Sequence, residues 1–311
     1  MPQKITKAVF PAAGFGTRFL PVTKAQPKEM LPIVDKPVIQ YLVEEAVESG
    51  IKEIIIVTGR GKRSIEDHFD DSFELEYNLV EKGKHNLLKE VRKISQLAKF
   101  IYVRQPKPLG DGHAILCAKE VIGNEPFAVL FGDDLVDSEV PALKQLMNVY
   151  EKTGSSIIAL EKINKKDTDK YGIIKAKNSQ KIYENESKKT ANRHQTKKLF
   201  SKIPLYEIES FIEKPKPQNA PSNLGIIGKY ILTPEILNIL EKTKPGPDGE
   251  IRLINGLMKL KNEQKIYGVE IQGTRYDTGT KFGFLKATID FSLKRNDLGP
   301  SMRSYLKTLD L

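Results

Sequence analysis

A chain of 311 residues, 39% hydrophobic and 29% charged, is long enough to bury a full-sized core, which excludes global disorder and dependence on covalent or metal staples. Its single cysteine, Cys117, and four histidines exclude an intrachain disulfide and a Cys/His metal cluster. The 50 Lys and Arg against 40 Asp and Glu leave a formal charge of +10, suited to anionic substrates, but the bases are scattered, which argues against a nucleic-acid polymer as partner.

The opening MPQKITKAVFPAAG lacks the basic head, apolar core and cleavage site of a secretion signal, and no apolar stretch is long enough for a bilayer. A cytoplasmic, reducing setting with no membrane partner is expected. KAVFPA at 7–12, EIIIVT at 53–58, FIYVR at 100–104 and FAVLF at 127–131 are short β-rich runs of the kind buried on both faces. Between them, Val38, Ile39, Leu42, Val43, Ala46 and Val47 recur on one helical face, with Asp35 as its expected cap, Pro37 in its first turn and Gly50 at its exit. Further helices are predicted at about 84–97 and 112–122. This alternation predicts an α/β fold with a sheet wound by right-handed crossovers.

From 155 the rhythm changes. SSIIALE at 155–161, GIIKA at 172–176, LYEIESFIE at 205–213, LGIIGKYIL at 224–232 and IYGVEI at 266–271 read as strands that extend the first sheet or form a lobe beside it. Helices are expected after Pro234, from Ile251 to about Asn262, from Lys281 to Leu293 and after Pro300. The stretch 184–202, ENESKKTANRHQTKKLFSK, has no regular apolar face and is expected to be a mobile basic loop.

The most informative segment follows the first strand: PAAGFGTRFLPVTKAQPKEMLP, Pro11 to Pro32. Gly14 and Gly16 permit a tight bend and close approach of backbone amides to an anion, and Arg18 and Lys28 supply charge for phosphate oxygens. The segment is neither a GxxxxGKS/T loop nor a full GxGxxG fingerprint, which weakens ATP hydrolysis and NAD binding as readings. VLFGDD at 129–134 places Asp133 at the carboxyl end of a strand, where open α/β sheets hold ligands, with Asp134 as a local competitor; Asp277 lies in a YDTG turn.

The Pro11 to Pro32 segment, together with RQPKPLGDGHAI at 104–115, VLFGDD, YGII at 171–174, FIEKP at 211–215, GEIRL at 249–253 and YDTGTKFGFLKA at 276–287, resembles the bacterial UTP–glucose-1-phosphate uridylyltransferases of the sugar-nucleotide pyrophosphorylase superfamily. The resemblance spans nearly the whole chain. It implies a Rossmann-like nucleotidyltransferase core with a mixed central sheet and a strand-rich sugar-binding extension. On this reading 1–311 is one domain, with 1–150 mainly nucleotide-binding, 151–280 mainly sugar-binding and 281–311 C-terminal helices.

The implied reaction is uridylyl transfer from UTP to α-D-glucose 1-phosphate, with Mg²⁺, giving UDP-glucose and pyrophosphate. Backbone around Ala13, Gly14 and Gly16 meets the nucleotide, Arg18 and Lys28 face the triphosphate, and Gln105 and Gly110 match the uracil positions. Asp133 and Asp277 match the metal ligands, although related chains often have proline-aspartate where this one has Gly132 and Asp133. Gly172, Glu213, Lys214 and, less directly, Gly225 match the sugar-phosphate side, and the long interval between Gly172 and Glu213 departs from shorter family versions. The four histidines are expected to be structural or exposed, and the chain to be a homodimer or homotetramer. Two alternatives stay open: a related enzyme using dTTP or another sugar 1-phosphate, and a sugar-nucleotide sensor without turnover.

Overall fold

A computed structural model describes residues 2–182 and 203–310, so the 184–202 stretch lies outside the described residues. Strand β1 (Lys7–Pro11) shows why the early runs are continuously apolar. Ala8 and Phe10 enter one core and Val9 the opposite one, so alternate side chains are buried on both faces. After β1 the chain makes short 3₁₀ turns at Thr17–Phe19, Val22–Lys24 and Lys28–Met30. A small hairpin follows, β2 (Pro32–Ile33) with β3 (Lys36–Pro37), and leads into α1 (Val38–Ser49). This hairpin corrects the expected cap. The chain stays extended through Pro37, which is itself the N-cap, and leaves Asp35 in the hairpin turn to pair with Arg295. The exit is as expected: Gly50 takes φ 105° and donates its N–H to the last turn of the helix.

Strand β4 (Glu53–Thr58) is followed by α2 (Arg63–Phe69), α3 (Phe73–Glu81) and α4 (His85–Ser95), then β5 (Lys99–Arg104). Only α4 of these helices is expected from sequence. The predicted helix at 112–122 is divided into α5 (Asp111–Cys117) and α6 (Lys119–Ile122). Next come β6 (Phe127–Leu130), β7 (Asp134–Asp137) and α7 (Ala142–Thr153), the last two unexpected. The strand-rich region contains β8 (Ser156–Lys162), β9 (Gly172–Ile182), β10 (Ile203–Glu213) and β11 (Leu224–Leu232). It continues through α8 (Glu235–Glu241), α9 (Leu253–Leu260), β12 (Ile266–Glu270) and β13 (Thr274–Asp277) to α10 (Lys281–Lys294) and α11 (Gly299–Leu306).

Among the described residues, nine strands form one mixed sheet in the order β5-β4-β1-β6-β11-β8-β12-β10-β9. Strands β5, β4, β1 and β6 are parallel, and β11 turns the direction by pairing antiparallel with both β6 and β8. Helices α1, α2 and α7 pack on one face, and α5, α6, α8 and α9 on the other. Strands β7 and β13 form a separate antiparallel pair. An ion pair sits inside the core: Lys229 of β11 is fully buried and meets Glu45 of α1 at 2.8 Å, while Glu45 also accepts from the Leu143 N–H of α7. Among the described residues no helix is long and apolar enough to cross a membrane.

Candidate active site

The carboxyl ends of β1 and β6 open into a cleft of about 430 Å³, and the expected residues Ala13, Gly14, Lys28, Gln105, Gly110, Glu213 and Lys214 all line it. At the end expected to take phosphate, Lys28 Nζ lies 2.6 Å from Asp133 Oδ2. Burial by itself lowers the Lys28 pKa, but Asp133 and Glu29 outweigh it and hold the ammonium above its ordinary value. Burial likewise pushes the Asp133 carboxyl up, and Lys28, Arg18 and Arg275 overcome it and hold the group below the usual carboxylate range. Gly16 takes φ 65° behind Lys28 and shapes the loop without lining the cleft.

Asp277 is the last residue of β13, paired across to Asp134 at the start of β7, and the expected turn begins only after it. That pairing brings it beside Asp133, whose backbone oxygen accepts from Thr278 N at 2.9 Å. Thr278 and Gly279 then fold over the corner. A Cβ built on Gly279 would lie 2.7 Å from Asp133 Oδ2, 3.1 Å from Asp277 Oδ1 and 3.2 Å from Arg18 Nη1, so two carboxylates and a guanidinium converge on one small space. Burial, opposed by Arg275 and reinforced by Asp134 and Asp133, lifts the Asp277 carboxyl. A hard divalent cation fits this donor set, because it would relieve the repulsion between two convergent oxygen ligands.

Asp134, the neighbour of Asp133, is held elsewhere. It pairs with the Arg275 guanidinium and accepts from Gly228 N at 2.7 Å, so both of its oxygens are engaged. Gly132 has its own reason. A Cβ there would come within 2.8 Å of Glu29 Cγ, and Glu29 is buried against Lys62 at 2.8 Å.

At the end expected to take the base, Gly110 takes φ 98°, and a Cβ would stand 2.7 Å from Ile251 O, so the position is closed to other residues. Gln105 Nε2 donates to Gly110 O at 3.0 Å. Asp111, just beyond, accepts from Gly112 N and Leu253 N, and burial raises its pKa despite these bonds.

At the end expected to take the sugar, Glu213 and Gly172 sit opposite each other across β10 and β9. A side chain at 172 would press on Ile254, Ile226 and Glu213, so glycine keeps this approach open. Lys214 adopts φ 46°, a left-handed conformation uncommon outside glycine, with its N–H bonded to Tyr171 O at 3.1 Å. Its ammonium lies 3.1 Å from Glu213, which Arg252 approaches at 3.9 Å. Gly225 stays in the sheet, paired with Glu161 and Ile173, and does not line the cleft.

Residues 7–292 match the family model described as nucleotidyl transferase. The chain belongs to this family. It is 49% identical over 309 residues to a UTP–glucose-1-phosphate uridylyltransferase of Staphylococcus epidermidis, covering 99% of this chain and 100% of that protein. A solved UDP-glucose pyrophosphorylase complexed with UDP-glucose is 44% identical, with a TM-score of 0.78 over 94% of this chain and 100% of the other. The UTP-bound enzyme of Acinetobacter baumannii, 37% identical, has a TM-score of 0.85 over 99% of this chain and 100% of its own.

Asp111, Glu250 and Arg252 also line the cleft of this nucleotidyl transferase, and sequence reasoning assigned them no role. Arg252 and Glu250 fall within GEIRL and Asp111 within PLGDG, so the signal was present as motif membership. Arg275 carried no such signal, because its importance depends on the pairing of β13 with β7.

Proposed function

We propose that this chain transfers the uridylyl group of UTP to α-D-glucose 1-phosphate, forming UDP-glucose and pyrophosphate. The observation that carries this reading is the continuity of one cleft from the phosphate loop, past Gln105 and Gly110, to Glu213 and Lys214. The full-length relatives named for the same reaction support it.

A glucose 1-phosphate oxygen, already anionic near neutral pH, attacks the UTP α-phosphorus, and pyrophosphate leaves on the opposite side. No general base is needed to create the nucleophile. Lys28 exchanges its Asp133 partner for phosphate oxygens, and Arg18 adds charge beside it, so both offset the charge of the transferring group. Gly14 keeps the loop backbone close to the phosphates, while the base and sugar ends hold the reactants in line. Lys214 neutralises the sugar phosphate and Glu213 accepts from sugar hydroxyls.

Nucleotidyltransferases with this activity generally use a divalent metal. We assign Mg²⁺, with Asp133 and Asp277 as the residues that would hold it. When bound, it supplies Lewis-acid charge that offsets the phosphate oxygens. We also assign a cytoplasmic setting, a homodimeric or homotetrameric state, and a single domain with nucleotide binding in 1–150, sugar binding in 151–280 and C-terminal helices in 281–311.

The test is a divalent-metal-dependent reaction panel crossing UTP, dTTP, CTP, ATP and GTP with glucose, galactose and N-acetylglucosamine 1-phosphates. UTP with glucose 1-phosphate is expected to give the highest kcat/KM. A higher value for dTTP or for another sugar phosphate would replace this substrate assignment.

A further inference from the structure

The Gln105 amide is held by two contacts whose chemistry fixes its orientation. One terminal atom lies 3.0 Å from Gly110 O. A carbonyl oxygen only accepts, so that atom is the donor nitrogen, Nε2. The same Nε2 lies 2.9 Å from His113 Nδ1. Nε2 has no lone pair to offer, so Nδ1 is the acceptor and the imidazole is the neutral form with its proton on Nε2. Both hydrogens of the amide nitrogen are then engaged, one on Gly110 and one on His113.

The other end of the amide is left over. Oε1 has no hydrogen-bond partner among the described residues, and Gln105 lines the cleft. An acceptor presented to a pyrimidine edge matches the N3–H of uracil and opposes the lone pair on N3 of cytosine. His113 does not line the cleft, so it reaches the nucleotide only through Gln105. Its own backbone N–H is tied to Ile251 O at 3.3 Å, which fixes the start of α5 under the ring. Cys117 Sγ lies 3.8 Å from Nδ1, one helical turn on. Burial holds the His113 pKa below its ordinary value, in keeping with a neutral ring.

We propose that His113 is a positioning residue for base selection: it holds the Gln105 amide with Oε1 toward the base and so sets the preference for uracil over cytosine. This rests on the assignment of Gln105 to the uracil end. Without His113, one amide hydrogen loses its acceptor and only Gly110 O opposes rotation of the side chain.

The experiment measures kcat and KM with UTP and CTP, at saturating glucose 1-phosphate, for the parent, H113A, H113N and Q105A. Asparagine places an acceptor oxygen at the same bond separation from the backbone as Nδ1. H113A is expected to lower the UTP/CTP ratio of kcat/KM by about tenfold, the loss of one buried hydrogen bond, with the UTP defect carried by KM. H113N is expected to restore the ratio to within about threefold of the parent. If H113A does not fold, H113L takes its place, since leucine fills the space without accepting. A ratio unchanged in Q105A overturns the uracil assignment and the inference with it. A ratio lowered in Q105A but unchanged in H113A, or an H113N that behaves as H113A, overturns the positioning role alone.

Discussion

Lys229 and Lys28 each meet a carboxylate at close range, 2.8 Å to Glu45 and 2.6 Å to Asp133. Their access to water differs. The Lys229 and Glu45 side chains are 0% and 8% exposed, whereas those of Lys28 and Asp133 are 23% and 25% exposed at the cleft. The first pair joins β11 to α1, with α7 bonded to the same carboxylate, and no substrate reaches it. The second lies at the cleft, where we propose that a phosphate and a cation part its two members. On that proposal one kind of contact serves as a permanent tie in the core and as an exchangeable placeholder in the site.

The largest effect separates these roles by stability. Lys229→Ala strands a buried carboxylate and is expected to cost about 3–5 kcal/mol, read by denaturant unfolding. A loss below about 1 kcal/mol would place this pair with ordinary surface pairs and remove the contrast.

Lys28→Ala acts on chemistry. Removing one preorganised charge from the transferring phosphoryl group is expected to lower single-turnover rates by about 10²–10³-fold with every accepted nucleotide. A defect confined to UTP would move Lys28 from the phosphate end to base recognition.

The pH dependence of stability sharpens the comparison further. Asp133 is held below the ordinary carboxylate range, so its contribution is present above about pH 4 and lost as pH falls through its depressed folded value. Lys28 is raised, so its contribution is present below about pH 10 and lost as pH rises through its raised folded value. The melting-temperature gap between the parent and Lys28→Met is therefore expected to be widest across the neutral range and to close on both flanks. A gap that widens on acidification contradicts the pairing.

The smallest effect concerns a region outside both pairs. Replacing Lys188, Lys189, Arg193, Lys197 and Lys198 together with glutamine removes five positive charges and is expected to leave turnover within about threefold, roughly 0.7 kcal/mol. A salt-sensitive loss of more than about tenfold in sugar-phosphate affinity, near 1.4 kcal/mol, with the oligomer intact, would assign this stretch to the substrate.

The sheet was legible because both of its faces are buried, which wrote Val9, Ile54, Ile55, Ile56 and Val129 as uninterrupted apolar runs. Helix α3 left no such trace, since only Leu79 is buried along it. Helix α7 did leave one, in Leu143, Leu146, Met147 and Tyr150, and the signal went unused. In the cleft, Gly14, Gly110, Lys28, Gln105 and Glu213 were visible through motif membership. Seeing that Arg275 engages Asp134, and that His113 meets Gln105, required knowing which strands pair and where α5 begins. Those are tertiary relations that residue spacing does not encode.

Strand β11 gives the molecule its mechanical character. It is laddered to β6 on one side and to β8 on the other, and its Gly225 also reaches β9. A hinge that swung one substrate end toward the other would have to tear one of those ladders. The frame therefore behaves as a stiff plate, and any narrowing of the cleft falls to the loops and side chains at its edge.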